Sequence, residues 1–290
     1  LARTVSAIVV NYKTAERLPA LLAALRASDA VAETIVVDSA SPDRERARAC
    51  GAEQFLELGE NRGFGAAANA GARAATAPLL AFVNPDVRFA ASALGALASE
   101  LEACAAVGPR LVGPDGAHQA GDCGEAPGVL RALGYALGAS TLFHRRARGR
   151  VGWLTGAFLL VRRDAFLAVS GFDESFFLFG EDVDLGRRLA AGGFECRHVP
   201  EVIVEHEGRA SYRGGPLEGT WAQGVRRAHA RSGSGPLGRA LFAAFFGAGL
   251  LVRGLVSRGE RRADLLRAAR FALSPMPRSG ETPGGPRAAS

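Results

Sequence analysis

The chain has 290 residues, 48% of them apolar and 22% charged, enough to bury a full core and to exclude wholesale disorder. Its formal charge of +6 is uneven: residues 216 to 290 hold 12 Arg against 4 acidic side chains, whereas residues 1 to 215 hold 23 basic and 25 acidic ones. The basic character belongs to the tail, and the near-neutral remainder, without a basic and aromatic stacking platform, ranks nucleic-acid binding third among the readings. Cys50, Cys104, Cys123 and Cys196 form no Cys-x-x-Cys pair, so neither a zinc knuckle nor a disulfide framework is expected, and a reducing cytosol fits. The apolar run Val5 to Val10 is too short for a signal peptide.

In chain order, Val5 to Val10 and Thr34 to Val37 are short β-branched runs, each followed by a polar turn and a helical pattern such as Leu18, Leu21, Leu22 and Leu25. Gln54 to Leu58 leads through Asn61-Arg62-Gly63 into an Ala-rich helix, and Leu79 to Val83 runs into Asn84-Pro85-Asp86. Strands alternating with helices predict an α/β fold with a doubly wound, mainly parallel sheet and helices on both faces. Ligands then bind beyond the carboxyl ends of its strands, where Asp38, Asn61 and Asp86 fall. Between Gly113 and Arg150 periodicity fades, which predicts a mobile loop with at most one short helix, ending in the basic run His144 to Arg150. Order resumes with a buried strand at Gly156 to Arg162, a helix over Glu181 to Ala191 and a last strand at Val202 to His206. The expected division is a catalytic domain over 1–215 and a basic helical tail over 216–290. In the tail, thirteen uncharged residues from Ala240 to Val252 would cover about 20 Å as a helix, too short to span a bilayer of about 30 Å. Flanking arginines and Phe242, Phe245 and Phe246 suit an interfacial helix on an anionic membrane, the alternative being a helix packed on the domain or in a homodimer. The last dozen residues, rich in Pro, Gly and Ser, are expected to be disordered.

Two acidic strings carry the chemistry. Gly63-Phe64-Gly65-Ala66-Ala67-Ala68 matches G-x-G-x-x-G/A, but follows the third strand rather than the first, so a dinucleotide site is not expected. Asp86 follows a buried strand and Pro85; a carboxylate so held can bind Mg²⁺ or Mn²⁺, which neutralises a departing nucleoside diphosphate. Residues 171 to 184 set Asp173, Glu174, Glu181, Asp182 and Asp184 among phenylalanines, where desolvated carboxylates need a metal, a cation or a proton to move. Asp182, near a helix start, is placed to deprotonate an acceptor hydroxyl.

Seven pieces in order then resemble the family 2 glycosyltransferases of GT-A fold, especially their bacterial rhamnosyltransferase-like branch. They are Val9-Val10-Asn11-Tyr12, Val37-Asp38, Asn61-Arg62-Gly63-Phe64-Gly65 with Asn69 and Gly71, and Asn84-Pro85-Asp86-Val87. Trp153-Leu154-Thr155-Gly156-Ala157, Gly171-Phe172-Asp173-Glu174 and Glu181-Asp182-Val183-Asp184-Leu185 with Arg188 complete the set. The resemblance implies a GT-A domain with nucleotide-sugar contacts at Asn11, Asp38, Asn61, Gly63, Gly65, Asn69, Asn84, Asp86, Trp153 and Gly156. It makes Asp86 the metal-binding acid of a degenerate DxD motif, His206, followed by Ser211, a second metal ligand, Asp182 the catalytic base and Glu181 its orienting neighbour. Ser39 stands where the family often has Asn, and Asn84 where it has an acid. The implied reaction is a single inverting displacement from a nucleoside-diphosphate sugar, dTDP-rhamnose ahead of a UDP-sugar. Its acceptor would be a saccharide or lipid-linked saccharide of cell-surface polysaccharide synthesis, and its place the inner face of the membrane. A nucleotidyltransferase and a catalytically silent membrane scaffold are the alternatives.

Overall fold

The computed structural model describes residues 4–119, 121–138, 148–208 and 217–274, without the side chains of 217–219 and 260. The expectations for the basic run up to residue 147, for Ser211 and for the disordered end lie outside these residues. The first half runs β1 (Val5–Asn11), α1 (Leu18–Arg26), β2 (Val31–Asp38), α2 (Arg44–Arg48), β3 (Gln54–Glu57), α3 (Phe64–Ala74) and β4 (Leu79–Val83). Next come β5 (Val87–Phe89), α4 (Ala93–Glu100), β6 (Ala106–Val112), β7 (Cys123–Gly124) and α5 (Val129–Ala136). The second half holds β8 (Gly149–Val151), β9 (Trp153–Leu154), β10 (Phe158–Arg162), α6 (Arg163–Ala168), α7 (Glu181–Ala191) and β11 (Cys196–His206). Helices α8 (Leu217–Ala230), α9 (Pro236–Val256) and α10 (Gly259–Leu273) close the described chain.

The strand order β3-β2-β1-β4-β10-β6-β11-β5 makes a mixed, mostly parallel sheet of the GT-A type. Strands β1 to β4 pair in parallel, as do β6 and β11, while β10 runs antiparallel to both of its neighbours. Alternation along β1 explains why the sheet is covered on both sides. Val5, Ala7 and Val9 pack with the leucines of α1, whereas Ile8 packs with Ala67, Ala68 and Ala72 of α3. A Cβ on Gly71 would lie 2.5 Å from Ile8 Cγ2, so a side chain there would hold α3 off the sheet.

The stretch from Gly113 to Arg150 is more structured than its composition predicts: its described residues form β7, α5 and part of β8. The tail also differs. Helix α9 has 21 residues, about 31 Å at 1.5 Å per residue, because Arg239 and Arg253 sit inside it rather than ending it; by length and composition it is long and apolar enough to cross a bilayer, not too short as its charge-free window suggested. Phe242 and Phe246, expected on a membrane-facing stripe, turn inward with 1% and 0% exposure. They join a third core shared by α5, α8, α9, α10, Trp153, Phe176 and Val183. The tail helices thus pack on the strand and helix that flank the second acidic string.

Candidate active site

Parallel pairing sets Asn11 beside Asp38 at the carboxyl ends of β1 and β2, and the two buried side chains meet there. Asn11 Nδ2 donates to Asp38 Oδ2 at 2.7 Å and to Asp43 Oδ1 at 3.1 Å, while Thr14 Oγ1 donates to Asn11 Oδ1 at 2.9 Å. Ser41 N–H donates to the other Asp38 oxygen at 2.9 Å, and Ala15 N–H to Asp43 Oδ2 at 2.9 Å. Burial raises the Asp43 pKa, but hydrogen bonds from Ser41, Ala15 and Asn11 outweigh it and leave the carboxyl below its ordinary value. Ser39 Oγ donates to Asn61 Oδ1 at 3.1 Å and Gly63 N–H to the same oxygen at 3.0 Å, so Asn61 ties the β2 and β3 exits together. These residues make one polar floor.

Asp86 is reached from the other side. Antiparallel pairing of β5 with β11 puts Val87 opposite His206, and this brings His206 Nε2 to 3.4 Å from Asp86 Oδ1. Asn84 Nδ2 lies 3.4 Å from the same imidazole nitrogen. Gln119 Oε1, 2.6 Å from His206 Nδ1, fixes the ring from behind. Burial raises the Asp86 pKa; the hydrogen bond and charge of His206, with Arg17 farther off, outweigh it and hold the carboxyl low. The site therefore offers an ionised carboxylate, an imidazole and an amide converging at a strand end, a hard-to-borderline donor set that fits Mg²⁺ or Mn²⁺ with a diphosphate completing the shell. Asp122, Cys123 and His198 form a separate buried group of ligand-type side chains. Asp122 Oδ2 lies 2.9 Å from His118 Nε2 and 3.6 Å from His198 Nε2.

The Asn61-to-Gly71 and Gly171-to-Glu174 motifs lock onto each other rather than acting apart. Asn69 Nδ2 donates to Phe172 O at 2.8 Å, and Phe172 N–H donates to Asn69 Oδ1 at 2.9 Å. Arg62 pairs with Glu174 at 3.0 Å, and Phe64 N–H donates to Phe177 O at 3.0 Å. Gly63 has φ +93°, and a Cβ there would overlap the Phe177 carbonyl; one on Gly65 would lie 3.1 Å from Phe172 Cβ. Gly65 and Asn69, expected at the nucleotide sugar, are thus engaged in holding these loops together. Trp153, expected as a wall against the sugar, is 6% exposed and donates its indole N–H to Glu125 O at 3.2 Å within the third core. Asn69→Ala is expected to cost about 2–4 kcal/mol by orphaning two backbone groups of Phe172, measurable as a lower urea midpoint at unchanged slope.

Glu181 and Asp182 open α7. Gly180 caps the helix at φ +90° without a side-chain hydrogen bond, and Phe179 before it sits at φ +67°, a left-handed conformation costing about 1–3 kcal/mol outside glycine. Glu181 is 5% exposed and its Oε2 has no hydrogen-bond partner among the described residues. Asp182 keeps part of its surface open and accepts from Val183 N–H at 2.8 Å, with the Gly156 amide also directed at it. Desolvation, then the Asp182 charge, pushes Glu181 up to about 8. Desolvation also raises Asp182, to about 6, with the amides of Val183 and Gly156 opposing. Asp182 therefore ionises first, and Glu181 stays protonated beside it at neutral pH. Asp184, fully buried, serves structure: Arg187 and Arg188 hold it at 2.9 and 2.6 Å.

Helix α8 braces this helix start. A Cβ on Gly180 would lie 2.5 Å from Gly224 O, and one on Gly224 would overlap the Phe179 carbonyl, so the two backbones touch. Arg227 donates to Ser175 O, and Arg231 pairs with Asp173. Both guanidinium groups lie over the Phe176 ring, at 5.7 and 5.5 Å. Sequence reading missed Asp43, Gln119 and this α8 contact. Ser41-Pro42-Asp43 was a visible turn signal; Gln119 sits in the stretch without periodicity, and Gly224 in a tail read for its charge and its apolar stretch.

The protein-family model described as "Glycosyl transferase family 2" matches residues 6–168, and that of "Glycosyl transferase family group 2" matches 136–257. An N-acetylglucosaminyl-diphospho-decaprenol L-rhamnosyltransferase of Mycobacterium tuberculosis is 31% identical over 229 residues, covering 69% of this chain and 74% of the relative. Rhamnosyltransferase WbbL of Escherichia coli is 44% identical over 56 residues, 19% of this chain and 21% of that protein. Among solved structures, a mannosyltransferase of Pyrobaculum calidifontis in complex with GDP-Man and Mn²⁺ has a TM-score of 0.58 at 19% identity, covering 94% of this chain and 81% of its own. S. aureus TarS 1-349 in complex with UDP-GlcNAc has a TM-score of 0.54 at 16% identity, covering 93% and 82%. With its motifs in order, a GT-A sheet and a family model spanning most of that sheet, the chain belongs to glycosyltransferase family 2, in its rhamnosyltransferase-like branch.

Proposed function

We propose that this glycosyltransferase moves rhamnose from dTDP-rhamnose, ahead of a UDP-sugar, onto a lipid-linked saccharide, with inversion at the anomeric carbon. The observation that carries the reading is the Glu181–Asp182 pair at the start of α7: a partly open carboxylate held by the Val183 amide, beside a buried carboxyl with one oxygen unpartnered among the described residues. The rhamnosyltransferase name of the mycobacterial relative supports the sugar, and its diphospho-decaprenol acceptor supports the lipid-linked class. Asn11, Asp38, Asn61 and Gly63 bind the nucleotide end of the donor, with Asp38 receiving base or ribose hydroxyls. Asp86 and His206 would hold Mg²⁺ or Mn²⁺, with Asn84 turned toward the same place; solved relatives contain Mn²⁺. Such an ion, when bound, neutralises the charge that develops on the departing diphosphate. Asp182 takes the proton of the acceptor hydroxyl as that oxygen attacks, while Gly156 and Val183 hold its carboxylate in place. Glu181, protonated, keeps a second negative charge away from the attacking oxygen.

Thermal stabilisation by a panel of nucleotide sugars, with and without Mn²⁺, tests the reading. dTDP-rhamnose plus Mn²⁺ is expected to raise Tm most, since ligand bound to the native state at 100 times Kd adds about 2.7 kcal/mol. Equal shifts with every donor, or shifts indifferent to metal in both wild type and Asp86→Asn, would sink it.

A further inference from the structure

Among the described residues, nine of the eleven exposed large hydrophobic side chains lie on α5, α9 and α10 or at their ends. The sheet domain, by contrast, exposes Leu167 and Ile203. Concentration of this kind marks an interaction surface rather than ordinary scatter. The carboxyl-terminal half of α9 presents Leu251, Val252, Leu255 and Val256, at 41%, 51%, 56% and 78% exposure, and Leu137 at the end of α5 is 79% exposed.

These helices form one stiff ledge. A Cβ on Gly249 would lie 2.9 Å from Tyr135 Cε1, so α5 and α9 pack backbone to ring. Arg253 caps the contact, its guanidinium 3.6 Å from the Tyr135 ring centroid and its Nη1 donating to Tyr135 O at 2.7 Å. The apolar end of α9 runs directly into exposed Arg258, Arg261 and Arg262, with exposed Arg267 and Arg270 farther along α10. An apolar ledge rimmed by arginines matches an anionic bilayer: side chains enter the acyl boundary while guanidinium groups meet headgroup phosphates. A second protein copy would have to desolvate like charges against each other.

We infer that the α5–α9 ledge with the first turn of α10 is a docking surface for an anionic lipid bilayer, bound from one side rather than crossed. The inward-facing half of α9 shares the third core with Val183 of α7, so docking would fix the Asp182 helix relative to the membrane plane. The surface differs from the one the tail's phenylalanines suggested, since Phe242 and Phe246 point into the protein.

Co-sedimentation of the full chain with vesicles tests this, without donor or acceptor, so that a failed transfer assay and a failed docking surface are told apart. Binding to phosphatidylglycerol-containing vesicles is expected, with little to pure phosphatidylcholine and a loss at high salt. Arg258→Gln with Arg261→Gln should weaken it about twenty-fivefold, at about fivefold per arginine, and Leu255→Glu with Val256→Glu at least about tenfold. Circular dichroism and sizing of each variant confirm that it is folded. Wild-type binding by both folded double variants overturns the proposal. So does a wild-type protein that ignores anionic vesicles, or one that sizes as a dimer and becomes a monomer on L255E/V256E without binding vesicles.

Discussion

Asp182→Asn is expected to remain folded and to bind donor with unchanged affinity, yet to transfer sugar about a hundredfold to ten-thousandfold more slowly, the range for a lost general base. The amide keeps the shape and can still accept from Val183 N–H, so only the ability to take a proton is removed. In the wild type, kcat/KM should fall toward acid with a midpoint near 6, because Asp182 works ionised and its pKa is raised to about 6. Glu181→Gln should transfer at a rate close to wild type at neutral pH, since Glu181, raised to about 8, is already uncharged there. The stability effect has a definite sign. A carboxyl whose folded pKa lies above its ordinary 4.5 favours the folded state below that value and loses the contribution as pH rises through about 8. Glu181→Gln should therefore leave Tm nearly unchanged at about pH 3.5, below the ordinary value of 4.5, and raise it relative to wild type at about pH 9. A wild-type rate in folded Asp182→Asn, or an Asp182→Asn profile with the same acid limb, would remove Asp182 from the role.

The second large effect is expected at Gly224, in a helix remote in sequence from every motif. Gly224→Val places a branched side chain where even a Cβ would overlap the Phe179 carbonyl. Relief requires α8 to retreat or the Phe179–Gly180 turn to reopen, and the second route re-aims the first turn of α7. Overpacking of this size costs about 1–3 kcal/mol, so Tm falls, and we expect kcat to drop at least about tenfold while donor affinity holds. The acid limb of kcat/KM should also move, because the desolvation that raises Asp182 depends on that turn. A merely destabilising lesion would lower Tm without moving the limb. Gly238→Ala offers the comparison: its Cβ would lie 3.4 Å from Ser234 Cβ, and neither rate nor pH profile should change. Loss of stability alone in Gly224→Val would show that α8 does not position the acids.

The first half of the fold was legible because its signals are local. Short β-branched runs at β1 and β2 and the apolar run at β4, each bounded by a polar turn, read as buried strands, and in an open α/β sheet the polar residues that end them lie at its carboxyl edge. The positions of Asn11, Asp38 and Asp86 at strand ends, and of Asn61 after β3, were legible in this way. The pairing of Asp86 with His206 was less visible, since it depends on β5 lying antiparallel to β11 across more than a hundred residues. Arg239 and Arg253 misplaced the ends of α9: Arg239 reaches solvent from within the helix and Arg253 places its guanidinium on Tyr135, so a charge-free window understates the helix's length. Trp153 and Asn69 mark the remaining gap. Both stand in family-like motifs, and no local signal shows that Trp153 packs in the third core or that Asn69 bonds both backbone groups of Phe172.

Reversal of β10 within the sheet divides the labour of specificity. Neighbouring strands β1, β2 and β4 deliver their exits to the site, whereas β10 delivers its entrance, and there Gly156 meets Asp182. Apart from Gln119, which holds His206, Gly156, which meets Asp182, and β8, which pairs with β11, the chain between β6 and β10 can therefore change length or sequence without altering the register of β1, β2 and β4. Variation among relatives should accordingly accumulate in that insert when the acceptor changes and spare it when only the donor does. Chimeras joined at Val112 and Phe158 that keep Gln119 and Gly156 are expected to exchange acceptor preference while retaining the donor of the parent sheet.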